Sequence, residues 1–508
     1  MTMSRISGIV AAIVAAVLFT CDAMAQGAGG VEHIARPISG TWINLPYKDG
    51  RNKFTNPEGF DNTDPDLWKT KVRELADMGI EYLVIMEVAN EGMSYYPSKL
   101  MEPLYDSALQ SPVAAILEEA SRHGQKVFLS TGWAKNQLDD MRDPAVKQRQ
   151  LDIMEELAGL YKNEKAFYGW YLPVEDCMCP LLPEHAVEAV NALVDRSRAL
   201  TPGKKTMISP YGMYQSDFDD ERFAERIERL KIDIIAYQDE VGCVRETFPL
   251  PRVRQNWKRL REIHDRTGIE MWANCETFTW ENEKTNCWVS ALVPAAYPRL
   301  LSQQIAATAG GVERIISFMF GGIIENPDSP YHLGQAQHSA QLYRDYTSWL
   351  AGDRYWKLME AAIAGRLRNN IPSATTDAPP ALTDGLLAEE CASDSAWQAF
   401  PAGYNEVVYD FGKSVCIDDV LVRNLNYHKG GIEPLMKTYL YYSSDSKTYR
   451  LASIRNTPHC PNNLHDAWVD GVYFDNLGLK ARYLKIAFSG VSDVFIDEIF
   501  INPSVEAL

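Results

Sequence analysis

The sequence predicts a (β/α)8 TIM barrel followed by an all-β jelly-roll sandwich, and three observations support this prediction. Strand-like and helix-like segments alternate from residue 38 to about residue 365. Residues 371–380, which read IPSATTDAPP, have the composition of a linker. Beyond them helical periodicity fades, and short β-rich runs separated by turn residues take over. A chain of 508 residues also favours two domains over one.

Each predicted barrel strand is a short apolar run bounded by turn residues or by the end of a helical pattern. The predicted strands are 39–45, 82–88, 126–130, 167–172, 206–209, 232–237, 269–274 and 314–320. No glycine-rich phosphate turn follows the first of these strands, so the sequence favours a barrel over a doubly wound open sheet.

The predicted helices alternate with these strands, and several begin at an Asp or Ser directly before a proline. Asp64, Ser111 and Asp143 each stand in this position, which is typical of a helix N-terminus. The predicted helices are 64–78, 111–123, 143–161, 183–200, 219–230, 252–267, 298–309 and 340–350. Repeated strand–helix units over this length are what a barrel requires.

The C-terminal part is predicted as a separate β-sandwich. Its strand-like runs are 406–411, 417–422, 437–442, 482–488 and 494–501. The predicted domain boundaries are 1–25 for a signal peptide, 37–368 for the barrel, 369–381 for the linker and 382–503 for the sandwich.

The N-terminal segment is typical of a secretory signal. Arg5 supplies a positive charge, residues 8–19 are apolar, and residues 23–25 (AMA) fit a cleavage site before Gln26. The apolar run is shorter than the roughly 20 residues that a spanning helix needs. Cys21 leaves a lipoprotein as an alternative, although residues 18–20 fit a lipobox poorly. We therefore expect an exported protein that is periplasmic, attached to the cell surface or secreted, and we expect no membrane-spanning segment.

Charge and cysteine content narrow the classes of partner. The net charge of −18 argues against nucleic acid and anionic membranes as binding partners.

Eight of the nine cysteines lie beyond the predicted signal, where disulfides are permitted, but their pairing is not determined by the sequence. Cys177 and Cys179 lack a second pair at zinc-site spacing, so no metal and no cofactor are expected. The sequence leaves the oligomeric state open.

Two predicted barrel strands lead directly to a glutamate. Residues 167–175 (FYGWYLPVE) end at Glu175, and residues 270–276 (EMWANCE) end at Glu276. The C-terminal ends of barrel strands converge on one face, where active sites lie. Two carboxylates delivered there from separate strands are the groups that glycoside hydrolysis needs. The sequence therefore predicts Glu175 and Glu276 as catalytic residues.

Side chains near the other strand ends are predicted to contact a substrate. Polar groups can bind sugar hydroxyls, and tryptophans can stack on the apolar faces of sugar rings. The predicted substrate-binding residues are Asn44, Glu87, Trp133, Tyr211, Gln238, Asp239 and Trp280. Ordinary core or loop packing is the competing interpretation for each of them, most strongly for a single tryptophan.

The sequence also resembles two known families. Residues 382–385 (LTDG), 408–412 (VYDFG), 441–445 (YYSSD), 481–486 (ARYLKI) and 497–499 (DEI) resemble a discoidin-type, galactose-binding-like domain. Residues 37–365 resemble an uncharacterised barrel family related to clan A glycoside hydrolases. That resemblance implies that Glu175 is the acid/base and Glu276 the nucleophile. The chain departs from the clan at Val174, where an asparagine usually helps to hold the sugar 2-hydroxyl.

These observations together lead to the expectation of an exported glycoside hydrolase with a retaining mechanism, acting on a polysaccharide or glycan. The C-terminal domain would tether the enzyme to carbohydrate or brace the barrel. Two alternatives stay open. One is a non-catalytic glycan-binding protein on a barrel scaffold, and the other is an inverting glycosidase that pairs Glu175 with Asp239 or Glu240.

Overall fold

The computed structural model describes residues 32–46, 61–132, 140–244, 249–281, 291–334, 336–370, 375–376, 382–456 and 467–506. The predicted signal peptide, Trp133 and most of the predicted linker lie outside these residues. In the described part, no helix is long and apolar enough to cross a membrane.

The N-terminal part is a closed barrel of eight parallel strands, as the sequence predicts. Each strand pairs with its neighbours in the chain, and the first pairs with the last, so the sheet has no free edge. The barrel strands are β1 (Ile38–Ile43), β2 (Tyr82–Ile85), β3 (Lys126–Ser130), β4 (Phe167–Tyr171), β5 (Lys205–Ile208), β6 (Ile234–Gln238), β7 (Glu270–Glu276) and β8 (Arg314–Phe318).

One main helix follows each barrel strand, and a further helix closes this part of the chain. They are α1 (Pro65–Asp77), α2 (Pro112–His123), α3 (Pro144–Tyr161), α4 (Glu184–Leu200), α5 (Glu221–Glu228), α6 (Leu250–His264), α7 (Tyr297–Ala309), α8 (Ala336–Leu350) and α9 (Arg354–Ile363). The predicted N-terminal signals are confirmed, because the side chains of Asp64, Ser111 and Asp143 each accept a hydrogen bond from the first turn of their helix.

The barrel interior is filled by large apolar side chains. Successive residues of a strand point to opposite faces, so alternate residues of each strand enter the interior. Trp42 and Tyr171 meet there edge to face with ring centroids 4.6 Å apart, and Tyr82 meets Trp272 at 4.9 Å. The interior is therefore a packed core, and only its C-terminal mouth is available for a polar site.

The C-terminal part is rich in β-structure, again as predicted. Its longer strands are β9 (Gln398–Phe400), β10 (Gly403–Ile417), β11 (Val420–Asn426), β12 (Lys437–Ser443), β13 (Arg450–Arg455), β14 (Trp468–Phe474), β15 (Leu479–Gly490) and β16 (Val494–Ile501). Strands β10, β15, β12 and β13 form most of one sheet, and β9, β16, β11 and β14 form the other. An apolar core that includes Val407, Leu440 and Ile496 contains buried residues from both sheets.

The two parts pack against each other through α9 and β14. Tyr355 of α9 donates a hydrogen bond of 2.7 Å to Asp470 of β14, and Arg354 pairs with Asp419 at 2.5 Å. The short strand Leu367–Arg368 pairs with Ser504–Val505, so the chain joins the sandwich immediately after α9.

The structure contains elements that the sequence pattern did not predict. They include α9, β9, β13 and β14, together with the one-turn helix Val241–Val244 and short strands such as 89–90, 93–94, 102–103, 278–280 and 292–294. Most of these segments are short, so tertiary packing defines them more than local sequence does.

Candidate active site

At the C-terminal end of the barrel, the inward-facing side chains change from apolar to polar. On β6, Ile234 and Ala236 belong to the interior core, and Gln238 is the next inward residue. On β7, Trp272 belongs to the same core, and Asn274 and Glu276 continue the alternation. Ser130 ends β3, and Asn44 and Ser209 directly follow β1 and β5, so these three residues continue the same alternation. The barrel therefore carries a ring of polar groups at its mouth.

Glu175 is half-buried in the segment after β4. Gln238 Nε2 donates to Glu175 Oε1 at 2.8 Å and to the Ser209 carbonyl at 3.0 Å. The Ser209 contact fixes the orientation of the Gln238 amide, so its N–H group faces the carboxylate. Burial raises the pKa of Tyr171 below this site, and the charges of Glu175 and Glu87 raise it further.

Glu276, the last residue of β7, is buried, with 4% of its surface exposed. Its Oε2 atom accepts a 2.7 Å hydrogen bond from the backbone N–H of Cys243 in the helix Val241–Val244. Burial raises the pKa of Glu276 to about 8, and the charges of Asp239 and Glu240 add to the rise. Burial therefore favours the protonated form of this carboxyl in the free protein.

Close approach of the backbone to Glu276 requires a glycine at position 242. A Cβ atom on Gly242 would lie 2.1 Å from the Phe278 carbonyl oxygen and 2.9 Å from Glu276 Oε2. Any other residue would displace the carboxylate or the turn that holds it.

Asp239 was predicted to contact substrate, but it is completely buried, with 0% exposure. Its Oδ1 accepts from the backbone N–H of Glu276 at 3.1 Å, and its Oδ2 accepts from Gln303 Nε2 at 2.6 Å. The alternation that turns Gln238 inward turns Asp239 outward, toward α7. Asp239 therefore supports the backbone of Glu276 from behind the strand.

Gln238 and Asp239 are consecutive residues of the chain, and each contacts a different one of the two glutamates predicted to be catalytic, Glu175 and Glu276. Gln238 binds the side chain of Glu175, whereas Asp239 binds the backbone of Glu276. Strand β6 therefore connects the two glutamates, which are carried by β4 and β7.

Glu240 is, with Asp239, one of the two carboxylates that could pair with Glu175 in the inverting alternative. It is 5% exposed, has a positive φ of 54°, and accepts a 3.2 Å hydrogen bond from the Tyr214 backbone through Oε2. Burial raises its pKa to about 7, and its charge acts on Glu276. Glu240 is thus electrostatically coupled to Glu276 while its own carboxyl is held by backbone N–H groups.

Glu87 also belongs to the candidate site, beyond the end of β2. Asn90 Nδ2 donates to its Oε2 at 2.9 Å, and 6% of its surface is exposed. Burial raises the pKa of Glu87 to about 7, and the charge of Glu175 contributes to the rise. The structure therefore brings Glu87 within electrostatic reach of Glu175.

The remaining predicted residues lie around this centre in different environments. Tyr211 is 40% exposed, and its backbone forms a parallel bridge with Cys177 in the segment after Glu175. Trp280 is half-buried and packs on Phe278 with ring centroids 5.5 Å apart. Asn44 is half-buried at the end of β1. Trp133 lies outside the described residues.

Several residues of the site were missed by the sequence interpretation. Gly242, the backbone of Cys243, and Gln303 all act on Glu276 or its support, and Ser209 orients Gln238. Continuing the two-residue alternation past β5 would have indicated Ser209. Gln303 of α7 reaches Asp239 through tertiary packing, and no local sequence pattern predicts this contact.

The mouth contains buried polar atoms without a protein partner. Asn274 Nδ2 donates to Ser209 Oγ at 3.1 Å, but Asn274 Oδ1 and Thr131 Oγ1 have no hydrogen-bond partner among the described residues. Such groups are normally satisfied by water or ligand. No cluster of three or more His, Cys, Asp or Glu side chains in the described part is arranged to hold a metal ion.

Residues 38–331 match the model of a family described as a domain of unknown function, DUF4434. No curated protein matches the sequence.

Solved structures show similarity at low identity. A Bacteroides thetaiotaomicron protein provisionally assigned as an alpha-L-fucosidase is 20% identical, with 63% of this chain and 96% of that chain covered and a TM-score of 0.48. A glycoside hydrolase family 5 protein from Bacteroides vulgatus is 12% identical, with 88% and 89% covered and a TM-score of 0.39. The CBM32 domain of AlyQ, in complex with 4,5-unsaturated mannuronic acid, is 15% identical, with 26% and 96% covered and a TM-score of 0.19.

Proposed function

This chain belongs to the DUF4434 family, and from that premise we propose that its barrel is a glycoside hydrolase with Glu175 and Glu276 as the catalytic pair. The observation that carries the proposal is the support given by β6. Gln238 binds the Glu175 side chain, and the adjacent Asp239 binds the Glu276 backbone. Two carboxylates held near the mouth of one barrel by neighbouring residues are the groups that glycoside hydrolysis needs, which supports the proposal.

The proposed reaction proceeds with net retention. Glu175, as general acid, gives a proton to the glycosidic oxygen while the ionised Glu276 carboxylate attacks the anomeric carbon. The carbon–oxygen bond to the leaving group breaks, and a glycosyl ester forms on Glu276. Glu175, now a carboxylate, removes a proton from water, which attacks the same carbon and releases Glu276.

The local chemistry fits these roles in two respects. Glu175 is half-exposed, so it can reach both a leaving group and a water molecule, and Gln238 fixes its orientation. Glu276 is fixed on both sides, by the Cys243 N–H on its carboxylate and by Asp239 on its backbone. A nucleophile must be held in line with the anomeric carbon, and these contacts would restrict the movement of Glu276.

The raised pKa of Glu276 has a direct kinetic consequence. A carboxyl with a pKa of about 8 must lose its proton before it can attack, so the nucleophilic role requires ionisation on the alkaline side of neutrality. The burial of Glu276 also favours a second candidate function, a non-catalytic barrel that binds glycans through the polar ring. That candidate predicts binding without turnover.

The inverting alternative has less support. Asp239 has 0% exposure and its oxygens bind Glu276, Gln303 and Val241, so it has no free position for a water molecule. Glu240 accepts backbone hydrogen bonds but is not enclosed in this way, and it would be the remaining base in an inverting mechanism.

We extend the proposal to the rest of the chain. The C-terminal sandwich would be a discoidin-type domain that tethers the enzyme to carbohydrate and raises the local substrate concentration. The predicted signal at residues 1–25 would export the protein to the periplasm, the cell surface or the medium.

The test compares Glu175→Gln and Glu276→Gln with the unaltered protein on a panel of polysaccharides and aryl glycosides. Each substitution is expected to lower kcat by about 10²–10⁴-fold, because a proton donor or the nucleophile is lost. Glu188→Gln, an exposed change on α4, serves as the control. NMR of the first product should show the anomeric configuration of the substrate.

Retained turnover in either variant would remove that glutamate from the mechanism, and an inverted product would move the assignment to Glu240. Carbohydrate binding with no turnover in the unaltered protein would support the glycan-binding barrel instead.

A further inference from the structure

A pocket of about 180 Å³ lies between helices of the barrel part and strand β14 of the sandwich. Its lining includes Tyr297 of α7, Asp345 of α8, Tyr355 and Trp356 of α9, and Asp470 of β14. None of the described residues of the candidate active site contributes to it. A bound water occupies only about 30 Å³, so this interface pocket has room for a small molecule.

Each of the two carboxylates in the interface pocket is held by the protein through one oxygen. Asp470 Oδ1 accepts hydrogen bonds from the Tyr355 hydroxyl at 2.7 Å and from the Gly471 backbone N–H at 2.8 Å. Asp345 Oδ1 accepts one from Gln341 Nε2 at 2.8 Å. Neither Oδ2 atom has a hydrogen bond to a residue that the structure describes. The second oxygen of each carboxylate can therefore accept from a ligand.

The interface pocket carries an excess of negative charge. Its described lining contains the two aspartates and no Lys, Arg or His. Burial raises the pKa of Asp345, and the nearby charge of Asp470 raises it further. Among the described residues, only the exposed Arg344 acts on Asp345 as a cation, and no cation acts on Asp470. A ligand that brings a positive charge would offset the repulsion between the two carboxylates.

Aromatic rings form a wall beside these carboxylates. The Trp356 ring contacts the rings of Tyr297 and Tyr355, with centroids 4.7 Å and 4.8 Å apart. Because the Tyr355 hydroxyl binds Asp470, this wall lies next to a carboxylate. Aromatic faces attract cations, and their carbon atoms contact the hydrocarbon part of an organic ligand.

These groups suit an organic cation better than a metal ion. Calcium takes about 6–8 oxygen ligands, and magnesium requires near-octahedral geometry. Two carboxylates supply too few of these ligands, and the described residues contain no group of three or more His, Cys, Asp or Glu that could hold a metal. An organic ammonium group donates up to about three hydrogen bonds and carries an apolar body, which matches carboxylates beside an aromatic wall.

We propose that the interface pocket binds a small organic cation with a primary ammonium group. The ammonium lies between the carboxylates and donates to the Oδ2 atoms of Asp345 and Asp470, and its hydrocarbon part contacts Trp356. Asp345 belongs to the barrel part and Asp470 to the sandwich, so the bound cation stabilises the packing of the two parts. This inference does not depend on the proposed function.

Binding of the cation should strengthen as pH rises. Burial raises the pKa of each aspartate to about 6, and a protonated carboxyl attracts a cation only weakly. The other ionisable groups facing these carboxyls are Tyr297, Arg344 and Tyr355. Burial raises the pKa of both tyrosines above its ordinary value of 10.0, and arginine stays protonated, so these three groups do not titrate near neutral pH.

Isothermal titration calorimetry of the whole protein with cyclohexylamine and cyclohexanol tests this inference. The two probes share one apolar ring and differ in the charged group. We expect cyclohexylamine to bind at pH 7 and to bind at least about 10-fold more weakly at pH 5, where both carboxyls are mostly protonated. Cyclohexanol should bind at least about 10-fold more weakly than cyclohexylamine at pH 7. Equal binding of the two probes, or no binding of the amine, would overturn the inference.

Variants identify the two carboxylates. Asp345→Asn and Asp470→Asn each remove a charge with little change in shape, and each is expected to abolish the preference for cyclohexylamine over cyclohexanol. Asp328→Asn removes an exposed carboxylate and serves as the matched control. If Asp470→Asn fails to fold, Asp345→Asn decides, and unchanged amine binding in a folded variant overturns the assignment.

Thermal unfolding with calcium chloride separates an organic cation from a metal ion. At pH 7 cyclohexylamine should raise the unfolding temperature of the unaltered protein and leave that of Asp345→Asn unchanged. Calcium chloride at the same concentration should raise neither. A rise with calcium chloride that is lost in Asp345→Asn would make the pocket a metal site and overturn the inference.

Discussion

At the scale of single residues, the environment of each carboxyl decides its role. Glu276 and Asp239 are both buried, but Asp239 is enclosed by three donors, whereas the carboxylate of Glu276 is held by the Cys243 N–H. Glu175 is half-exposed and held by one side-chain amide. Strand alternation thus turns the Asp239 side chain behind the sheet, where it supports the backbone, and turns the Glu276 side chain toward the mouth of the barrel.

The pH dependence of turnover follows from the pKa of Glu276. Since the nucleophile must be ionised, kcat/KM is expected to rise with pH up to about 8. Asp239→Asn removes a neighbouring negative charge, so it should lower the pKa of Glu276 and move the rising limb to lower pH.

The measurement is a kcat/KM profile from pH 5 to pH 10 for both proteins, with Asp328→Asn, an exposed change, as control. A falling limb near pH 8 would show that Glu276 acts as the proton donor, which reverses the proposed roles.

Gly242 is expected to tolerate no side chain. In Gly242→Ala the new Cβ would lie 2.1 Å from a backbone oxygen, so the turn must shift, at a cost of about 1–3 kcal/mol or more. Activity should fall as well, because Glu276 Oε2 lies 2.9 Å from the same Cβ. Denaturant unfolding and initial rates measure the two effects.

Gly159→Ala is the matched control, because a Cβ at Gly159 of α3 meets nothing within 4 Å. That change should stabilise the protein by about 0.5–1 kcal/mol, since alanine loses less backbone entropy in a helix. Equal effects of the two substitutions would contradict the role given to Gly242.

At the scale of elements, α7 supports the end of β7. Gln303 Nε2 donates to Asp239 Oδ2 and also to the Glu276 carbonyl at 3.1 Å, and the Arg299 guanidinium reaches the same carbonyl at 3.3 Å. The contact with Asp239 joins α7 to the residue after β6, and the two contacts with the Glu276 carbonyl join α7 to β7. The helix therefore fixes the backbone that carries one candidate catalytic residue.

Gln303→Leu is expected to lower both stability and activity. It removes the Gln303 donor from Asp239 Oδ2 in a buried site, which costs about 1–3 kcal/mol, and it removes one of the contacts that hold the Glu276 carbonyl. Thermal unfolding and kcat report the two losses.

Gln304→Leu provides the comparison on the same helix. Gln304 is also buried, but its Nε2 donates to the Arg36 carbonyl at 3.0 Å, away from Glu276. Stability should fall in both variants, whereas activity should fall only in Gln303→Leu. An equal loss of activity in both would mean that α7 acts only through overall stability.

At the scale of the whole molecule, residues of the barrel and of the sandwich line the interface pocket of about 180 Å³. Asp345 of α8 and Asp470 of β14 contribute to its lining from opposite domains. Burial raises the pKa of each from its ordinary value of 3.8 to about 6, and Asp470 raises that of Asp345 further. Ionisation at this interface therefore works against domain packing.

The stability of the molecule should consequently depend on pH over a defined window. Because both pKa values are raised in the folded state, their contribution to stability is fully present below about pH 4 and is lost as pH rises through about 6. Asp345→Asn should flatten this dependence of the unfolding temperature. Asp328→Asn, at an exposed site, should leave it unchanged.

Calorimetry between pH 4 and pH 7 measures the effect. An unfolding temperature that falls equally over this range in the native protein and in Asp345→Asn would contradict the assignment of these carboxyls.

Much of the fold and part of the site could be predicted from sequence. Asp64, Ser111 and Asp143 marked the starts of three helices because the capping side chain and the following proline are neighbours in the chain. Glu175 and Glu276 could be assigned to strand ends for the same reason. The segments α9, β13 and β14 were not predicted, and their positions are set by contacts with other parts of the chain, although the apolar residues of α9 do follow a helical period.

The sequence by itself determined the order of strands and helices, the eight-stranded barrel and the β-rich region after it. It also indicated which side chains follow each strand. Only the tertiary structure decided that Gln238 contacts Glu175, that Asp239 turns away toward Gln303, and that Gly242 lies against Glu276. Element order depends on local periodicity, whereas these contacts join residues more than 30 positions apart, whose separation in space is set by barrel closure and packing.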